Sequence, residues 1–342
     1  MNKTRNERSL SPFARLLLII VPLTAIIGSI FVGRYTASMS EVLTLVGVKF
    51  GILKDVELSK TLVSAIWNVR IPRIIIVFLA GASLSVSGAV FQGVFRNPLV
   101  SDHVLGVSNG ASFGAAIALL LGLPMAVVQA SSFVFGVISV LLAYWLTRVY
   151  KGESMLTLVL SGIIISGFFS ALVSLMKTLA DPMDKMPAIV FWLMGSFAKV
   201  SNKDLIYCLP AMALPLLFLY LLRWKINVLA TGDESAKALG MNTTAFRIVL
   251  IMLCTFATAA TVAISGVVGW VGLVIPHVSR IIVGPDYKKL VPMSIAMGGT
   301  YLLVMDNAAR MIASYEVPIG ILTAVVGAPL FAFLLGKGSG WE

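Results

Sequence analysis

Ten stretches dominated by apolar side chains recur along a chain of 342 residues, at about 16–32, 71–92, 104–121, 125–147, 155–176, 205–222, 246–267, 270–284, 290–312 and 317–335. A helix needs about 20 such residues to cross the hydrocarbon core of a bilayer. Runs repeated at that length decide the class of fold before any motif is read, because a soluble chain would leave most of this surface in water. Composition agrees: 58% of residues are hydrophobic and 12% charged, against about 45–50% apolar and about 25% charged in soluble domains. The expectation is an all-α polytopic membrane protein of about ten transmembrane helices in one domain spanning 1–342. It would have an N-terminal tail at 1–15, a bundle at 16–336 and a C-terminal tail at 337–342.

Lys3, Arg5, Arg8 and Arg15 precede the first run, a pattern shared with secretory signal peptides. The run is long for such a segment, and no A-x-A cleavage pattern follows it. A first span with a cytoplasmic N-terminus fits better, and ten crossings return the C-terminus to the cytoplasm. Loops assigned inside then hold 15 of the 26 Lys/Arg, a small excess in the direction of the positive-inside rule. That asymmetry also accounts for the net charge of +11. Nucleic acid is not the expected partner, since no Lys/Arg cluster is interleaved with aromatics. Cys208 and Cys254 both lie in apolar runs and carry no disulfide signature.

Small residues are dense inside the spans: Gly81, Ser83, Ser85, Ser87 and Gly88 in one, Ser161, Gly162, Ser166 and Gly167 in another. Such residues let membrane helices approach closely, so packing explains most of them. A faint repeat pairs Ser87-Gly88-x-Val90 and Pro98-x-Val100 with Ser265-Gly266-x-Val268 and Pro276-x-Val278. It suggests two similar four-helix halves, spans 2–5 and 7–10, a common transporter plan.

No G-x-x-x-x-G-K-[ST] loop and no H-E-x-x-H is present, so the chain carries neither a nucleotide cradle nor that zinc motif. The two histidines, His103 and His277, lack neighbours at metal-ligand spacing. No metal site, no bound cofactor and no catalytic group is expected. Charge at membrane depth is sparse as well. Asp306 and Arg310, four residues apart on one helix face, are the main candidates, which disfavours a proton relay.

The most informative polar segment is 229–247. Thr231 or Asp233 can cap a short helix whose apolar face is Ala236, Ala238 and Leu239, and Gly240 supplies a stop. An interfacial helix lying on lipid is one reading. Docking to a soluble partner suits it better, because it has no aromatic anchor and carries Asp233 and Glu234.

Several motifs in order resemble one family. Arg70-Ile-Pro-Arg73, the run Gly81 to Leu99 with Phe95-Arg-Asn-Pro-Leu99 at its end, and Leu105-Gly-Val-Ser-Asn-Gly-Ala111 come first. Gly269-Trp-Val-Gly-Leu-Val-Ile-Pro-His-Val-Ser-Arg280, Pro318-Ile-Gly-Ile and Gly327-Ala-Pro329 follow. Together they are similar to the iron-chelate and cobalamin permeases of bacterial type II ABC importers, over about residues 16–336. The resemblance implies a ten-helix subunit of the plasma membrane that pairs as a homodimer. Two separate ATP-binding subunits would dock inside, holding the ATP and Mg, and a substrate-binding protein would dock outside.

By that resemblance Gly232, Asp233, Glu234, Ala236, Leu239, Gly240 and Met241 form the coupling segment that inserts into the ATPase. Arg70, Arg73 and Arg310 match arginines that meet glutamates of the binding protein, a role suited to a planar guanidinium. Anchoring to headgroups is the alternative. Met155 and Leu156, in the turn opened by Glu153, would narrow an inner gate, with Ser161 and Gly162 along the pathway; ordinary span-end hydrophobes is the other reading. Asp181 to Pro187, followed by Phe191 to Ser196, resembles a short outer helix lining the entrance with Trp192. The implied cargo is an iron–siderophore complex, with haem, cobalamin and molybdate or tungstate as alternatives. An ion-coupled secondary carrier and a membrane-embedded enzyme are the rival classes.

Overall fold

The computed structural model describes residues 11–53, 56–150 and 155–336. In chain order the helices are α1 (Pro12–Phe31), α2 (Met39–Lys49), α3 (Lys60–Leu62), α4 (Ile71–Phe95), α5 (Val107–Leu120), α6 (Met125–Val149) and α7 (Met155–Leu179). They continue as α8 (Lys185–Leu193), α9 (Asn202–Ala230), α10 (Asp233–Ala238), α11 (Thr243–Ser265), α12 (Val271–Val283), α13 (Tyr287–Met311) and α14 (Ile319–Gly336). A π-helical stretch, Val63–Arg70, joins α3 to α4 without a break, and a 3₁₀ turn, Asp102–Leu105, precedes α5.

Local chemistry sets several starts. Ser11 caps α1, its Oγ accepting from the Ala14 N–H at 3.1 Å, with Pro12 at the first helical position. Ser38 and Glu41 form a reciprocal capping box at α2, as do Ser201 and Asp204 at α9.

The centre of the bundle is α4. Of the most apolar part of the α3–α4 helix, 83% is buried, against 17% for α1, which faces outward. Glycines set how near its neighbours come. A Cβ at Gly81 would collide with the Gly298 carbonyl of α13, and one at Gly88 with the Gly272 carbonyl of α12. Gly110 and Gly114 bring α5 equally close to Ser131 and Phe135 of α6. Lipid gives helices no hydrophobic reason to associate, so this backbone-on-backbone packing is what holds them.

Each of the ten apolar runs carries one helix, but not every one is by itself long and apolar enough to cross a membrane. Among the described residues six helical segments are long and apolar enough to span: 12–31, 60–95, 125–149, 156–179, 202–230 and 243–265. Helix α5 has 14 residues and α12 has 13, about 20 Å each at 1.5 Å per residue, short of a core about 30 Å thick. Helix α13 is 25 residues long but carries Lys288, Lys289, Asp306 and Arg310. The short repeat also fails to mark equivalent structure. Ser87-Gly88 lies inside α4, whereas Ser265-Gly266 lies where the chain leaves α11.

Both short helices follow non-helical backbone. Such backbone is tolerated at membrane depth only where the protein satisfies it. The Ser196 N–H donates to the Ser265 carbonyl at 2.7 Å, and the N–H groups of Ile319 and Gly320 donate to Gly195 and Met194 at 3.0 and 3.1 Å. Gly195 and Gly266 both hold positive φ there, and a side chain on either would strike a facing carbonyl.

Candidate functional site

Functional candidates gather at the two ends of α4, which its 25 residues separate by about 37 Å. At one end α9 finishes at Ala230, and Gly232 (φ 130°) turns the chain into α10. Ala236 is buried under this short helix, while Glu234, Ser235, Lys237 and Ala238 are exposed. Leu239 is 70% exposed. Gly240 (φ 78°) ends the turn, with the Met241 N–H returning to the Ala236 carbonyl at 3.0 Å. The expected short helix and its Gly240 stop are present, but Gly232 rather than Thr231 or Asp233 holds the N-cap position, without a side-chain cap, and of the expected apolar face only Ala236 is buried.

Two arginines from other helices hold Asp233. The Arg96 guanidinium, at the C-terminus of α4, lies 2.6 Å from its Oδ1, and Arg247, near the start of α11, pairs with the same oxygen. Partial burial works to raise the Asp233 pKa; the hydrogen bond from Arg247 and the charges of Arg247, Arg96 and Lys237 outweigh it and hold the carboxyl below its ordinary range. Both arginines were missed from sequence, although the unmatched acid at 233 asks for cations. Beside α10 a groove of about 460 Å³ runs between Trp224, Lys225 and Val228 of α9 and Phe246 and Val249 of α11, with Leu239 to Asn242 along its edge.

At the far end the three expected docking arginines are present but turned inward. Arg73 is buried, its Nη2 2.8 Å from Asp306 Oδ1 and 2.8 Å from Glu316 Oε2. Its Nε and Nη1 donate to Asp306 and Glu316 as well, at 3.0 and 2.9 Å. Arg310 lies 3.4 Å from Asp306 and donates to the Val32 carbonyl and to Asn307. Arg70 donates to the carbonyls of Ile30, at 2.7 Å, and Tyr35. The structure thus differs from an exposed trio: burying a guanidinium is costly unless acceptors surround it, and carboxylates and carbonyls of this chain do so. Glu316 lies in the loop before α14. Partial burial would raise its pKa, but the Arg73 hydrogen bond and the charges of Arg73, Arg310 and Arg34 lower it.

Glu316 also lines a cleft of about 740 Å³ with Phe191, Trp192, Gln129, Asp204, Lys199 and Pro318. Helix α8 stands where a short helix was expected, and Trp192 lines this cleft. At the α10 end, Met155 opens α7; its side chain and residues 151–154, including Glu153, lie outside the described residues. Leu156 is 66% exposed. Ser161 is buried 3.1 Å from the Thr147 hydroxyl, and a side chain at Gly162 would strike the Val104 carbonyl. Those two residues form a packing contact among α7, α6 and the 3₁₀ turn. Among the described residues no group of three His, Cys, Asp or Glu could hold a metal ion.

Comparison with known proteins gives this geometry a family. Residues 17–337 match the model of the FecCD transport family. The chain is 40% identical over 321 residues to the molybdate import system permease protein of Haemophilus influenzae, covering 94% of each. It is 42% identical to a protein of Helicobacter pylori named as a probable iron chelatin transport system permease, covering 86% of this chain and 88% of that one. A solved structure described as an inward-facing conformation of a metal-chelate type ABC transporter superposes with a TM-score of 0.82 at 39% identity, covering 95% and 98% of the two chains. The chain belongs to the FecCD transport family and is the membrane permease subunit of an ABC import system, a transport subunit rather than an enzyme.

Proposed function

We propose that the chain is the permease of a type II importer that carries a metal-bearing cargo, first of all a ferric chelate, by alternating access. The observation that carries this reading is α10: a six-residue helix held at one end of the bundle, with Leu239 presented outward. A separate ATPase would grip it from the cytoplasm, through Gly232, Asp233, Glu234, Ala236, Leu239, Gly240 and Met241. That places both termini inside and the 740 Å³ cleft at the outer mouth, where a substrate-binding protein would dock. Arg70, Arg73 and Arg310 would underlie that docking face as its packed base. Met155 and Leu156, at the α10 end, are the proposed inner constriction. A second copy would pack on exposed apolar faces such as Ile163, Ile164 and Phe168 of α7 and Ile321 and Val325 of α14.

The proposed ten crossings count the short helices, whose non-helical leads complete the path through the membrane. Two halves, α4–α7 and α11–α14, are supported by the order of lengths. Each opens with a long helix of 25 or 23 residues, followed by a break and a short one of 14 or 13.

Similarity to the molybdate permease favours molybdate or tungstate as a second reading. The cleft has the size of a small-molecule site and sets Lys199 against Asp204 and Glu316 among aromatic walls, which suits a large chelate better than a bare oxyanion. Uptake in cells expressing the whole transporter, with radiolabelled ferric siderophore, cobalamin, haemin or molybdate, decides between them. Saturable uptake of the ferric chelate that excess molybdate does not displace is expected; uptake of molybdate alone overturns the chelate reading.

A further inference from the structure

Arg96 holds a backbone conformation that glycine takes freely and other residues seldom do. It caps α4 with φ 48° and ψ 38°, and among the described residues only it and Trp270 combine a side chain with positive φ. This position at a helix C-terminus is the usual place for glycine, because a Cβ is strained there. Fold stability alone would therefore favour a glycine in place of this arginine. The side chain is also half exposed, as is Asp233, and exposed ion pairs add little stability. What the arginine provides is a position: it ties α10 to the most buried helix of the bundle, while Arg247 ties the same carboxylate to α11.

We propose that Arg96 and Arg247 are the positioning residues of the power stroke, clasping Asp233 so that ATP-driven displacement of α10 passes into α4 and α11. At its other end α4 carries Arg73, which holds Glu316 at the rim of the mouth cleft. One continuous helix with an ion pair at each end therefore connects the motor side to the mouth loop. The inference rests on α10 being the helix the ATPase grips.

The test uses the permease with its ATPase in nanodiscs and an environment-sensitive fluorophore on Tyr315→Cys, an exposed site in the mouth loop, in a Cys208→Ser background. Trapping with ATP and vanadate is expected to shift the fluorescence of this parent protein. Arg96→Gly should melt at or above the parent's temperature and keep hydrolysing ATP, yet lose about tenfold of the fluorescence response, within the range of measured coupling between sites. Arg96→Lys should regain most of it, because charge and reach are retained. An unchanged response in Arg96→Gly, a response lost together with thermal stability or ATPase binding, or no response in the parent overturns the proposal. A further variant, Leu239→Arg, separates the two levels. If the ATPase still co-purifies and turns over normally with it, the docking role of α10 falls, and the clasp with it. If Leu239→Arg releases the ATPase while Arg96→Gly responds like the parent, only the clasp falls.

Discussion

Replacing Gly88 by leucine is expected to abolish the folded permease. Even a Cβ at this position would overlap the Gly272 carbonyl, carbon and Cα of α12. That obstacle is backbone and cannot rotate away as a side chain would. Overpacking a core costs about 1–3 kcal/mol where neighbours can yield; here α12 must leave α4, so the cost is expected at or above the upper end of that range. The measurement is the monodisperse fraction and melting temperature in detergent. Gly167→Leu is the control, because nothing lies within 4 Å of a Cβ there, and it should behave as wild type. A Gly88→Leu protein that melts beside the control would mean that α4 and α12 are not in backbone contact.

Arg73→Met is expected to be nearly as damaging, for an electrostatic reason. The substitution keeps much of the side-chain length but leaves Asp306, whose side chain is only 2% exposed, without its bidentate partner. Removing one member of a buried pair costs about 3–5 kcal/mol because the remaining charge stays buried. Arg310, 3.4 Å from Asp306, offsets part of this, so the lower half of the range is expected. The double variant Arg73→Met/Asp306→Asn should recover more than half of the loss, since the stranded charge is gone. Denaturant unfolding of the three variants reads this directly. A double variant no more stable than Arg73→Met would show that packing, not charge, is what Arg73 supplies.

Much of this architecture was legible in the apolar pattern. The ten runs fall on ten helices because apolar length is the property a bilayer selects; α10 was visible from its polar, capping-type residues and the Gly240 stop, and α8 only through the family resemblance. What the pattern could not separate was a helix that crosses from one that completes a crossing. α12 follows a break where the Ser265 carbonyl accepts from the Ser196 N–H, far away in sequence, whereas α5 follows a 3₁₀ turn held by local bonds such as Val104 N–H to the Ser101 carbonyl. Helix α2 falls between the first two apolar runs, where the apolar pattern marks no helix, although Ser38 and Glu41 carry the S-x-x-E spacing of a capping box. The inward turn of the arginines was not legible at all. Arg73 finds its carboxylates 233 and 243 residues away, and Arg96 finds Asp233 at a separation of 137. An Arg-x-Pro-Arg motif reads the same whether its guanidiniums face a partner protein or the chain's own acids. Only the tertiary structure distinguishes the two.

The central claim is that this subunit moves cargo only when a separate motor protein acts on it. The direct measurement is uptake into proteoliposomes that contain the permease with or without its ATPase, with the cargo-loaded binding protein outside and a proton gradient imposed or absent. The account predicts transport that needs the ATPase and internal ATP, stops with vanadate and is indifferent to the gradient. Transport by the permease alone, driven by the gradient without nucleotide, would contradict it.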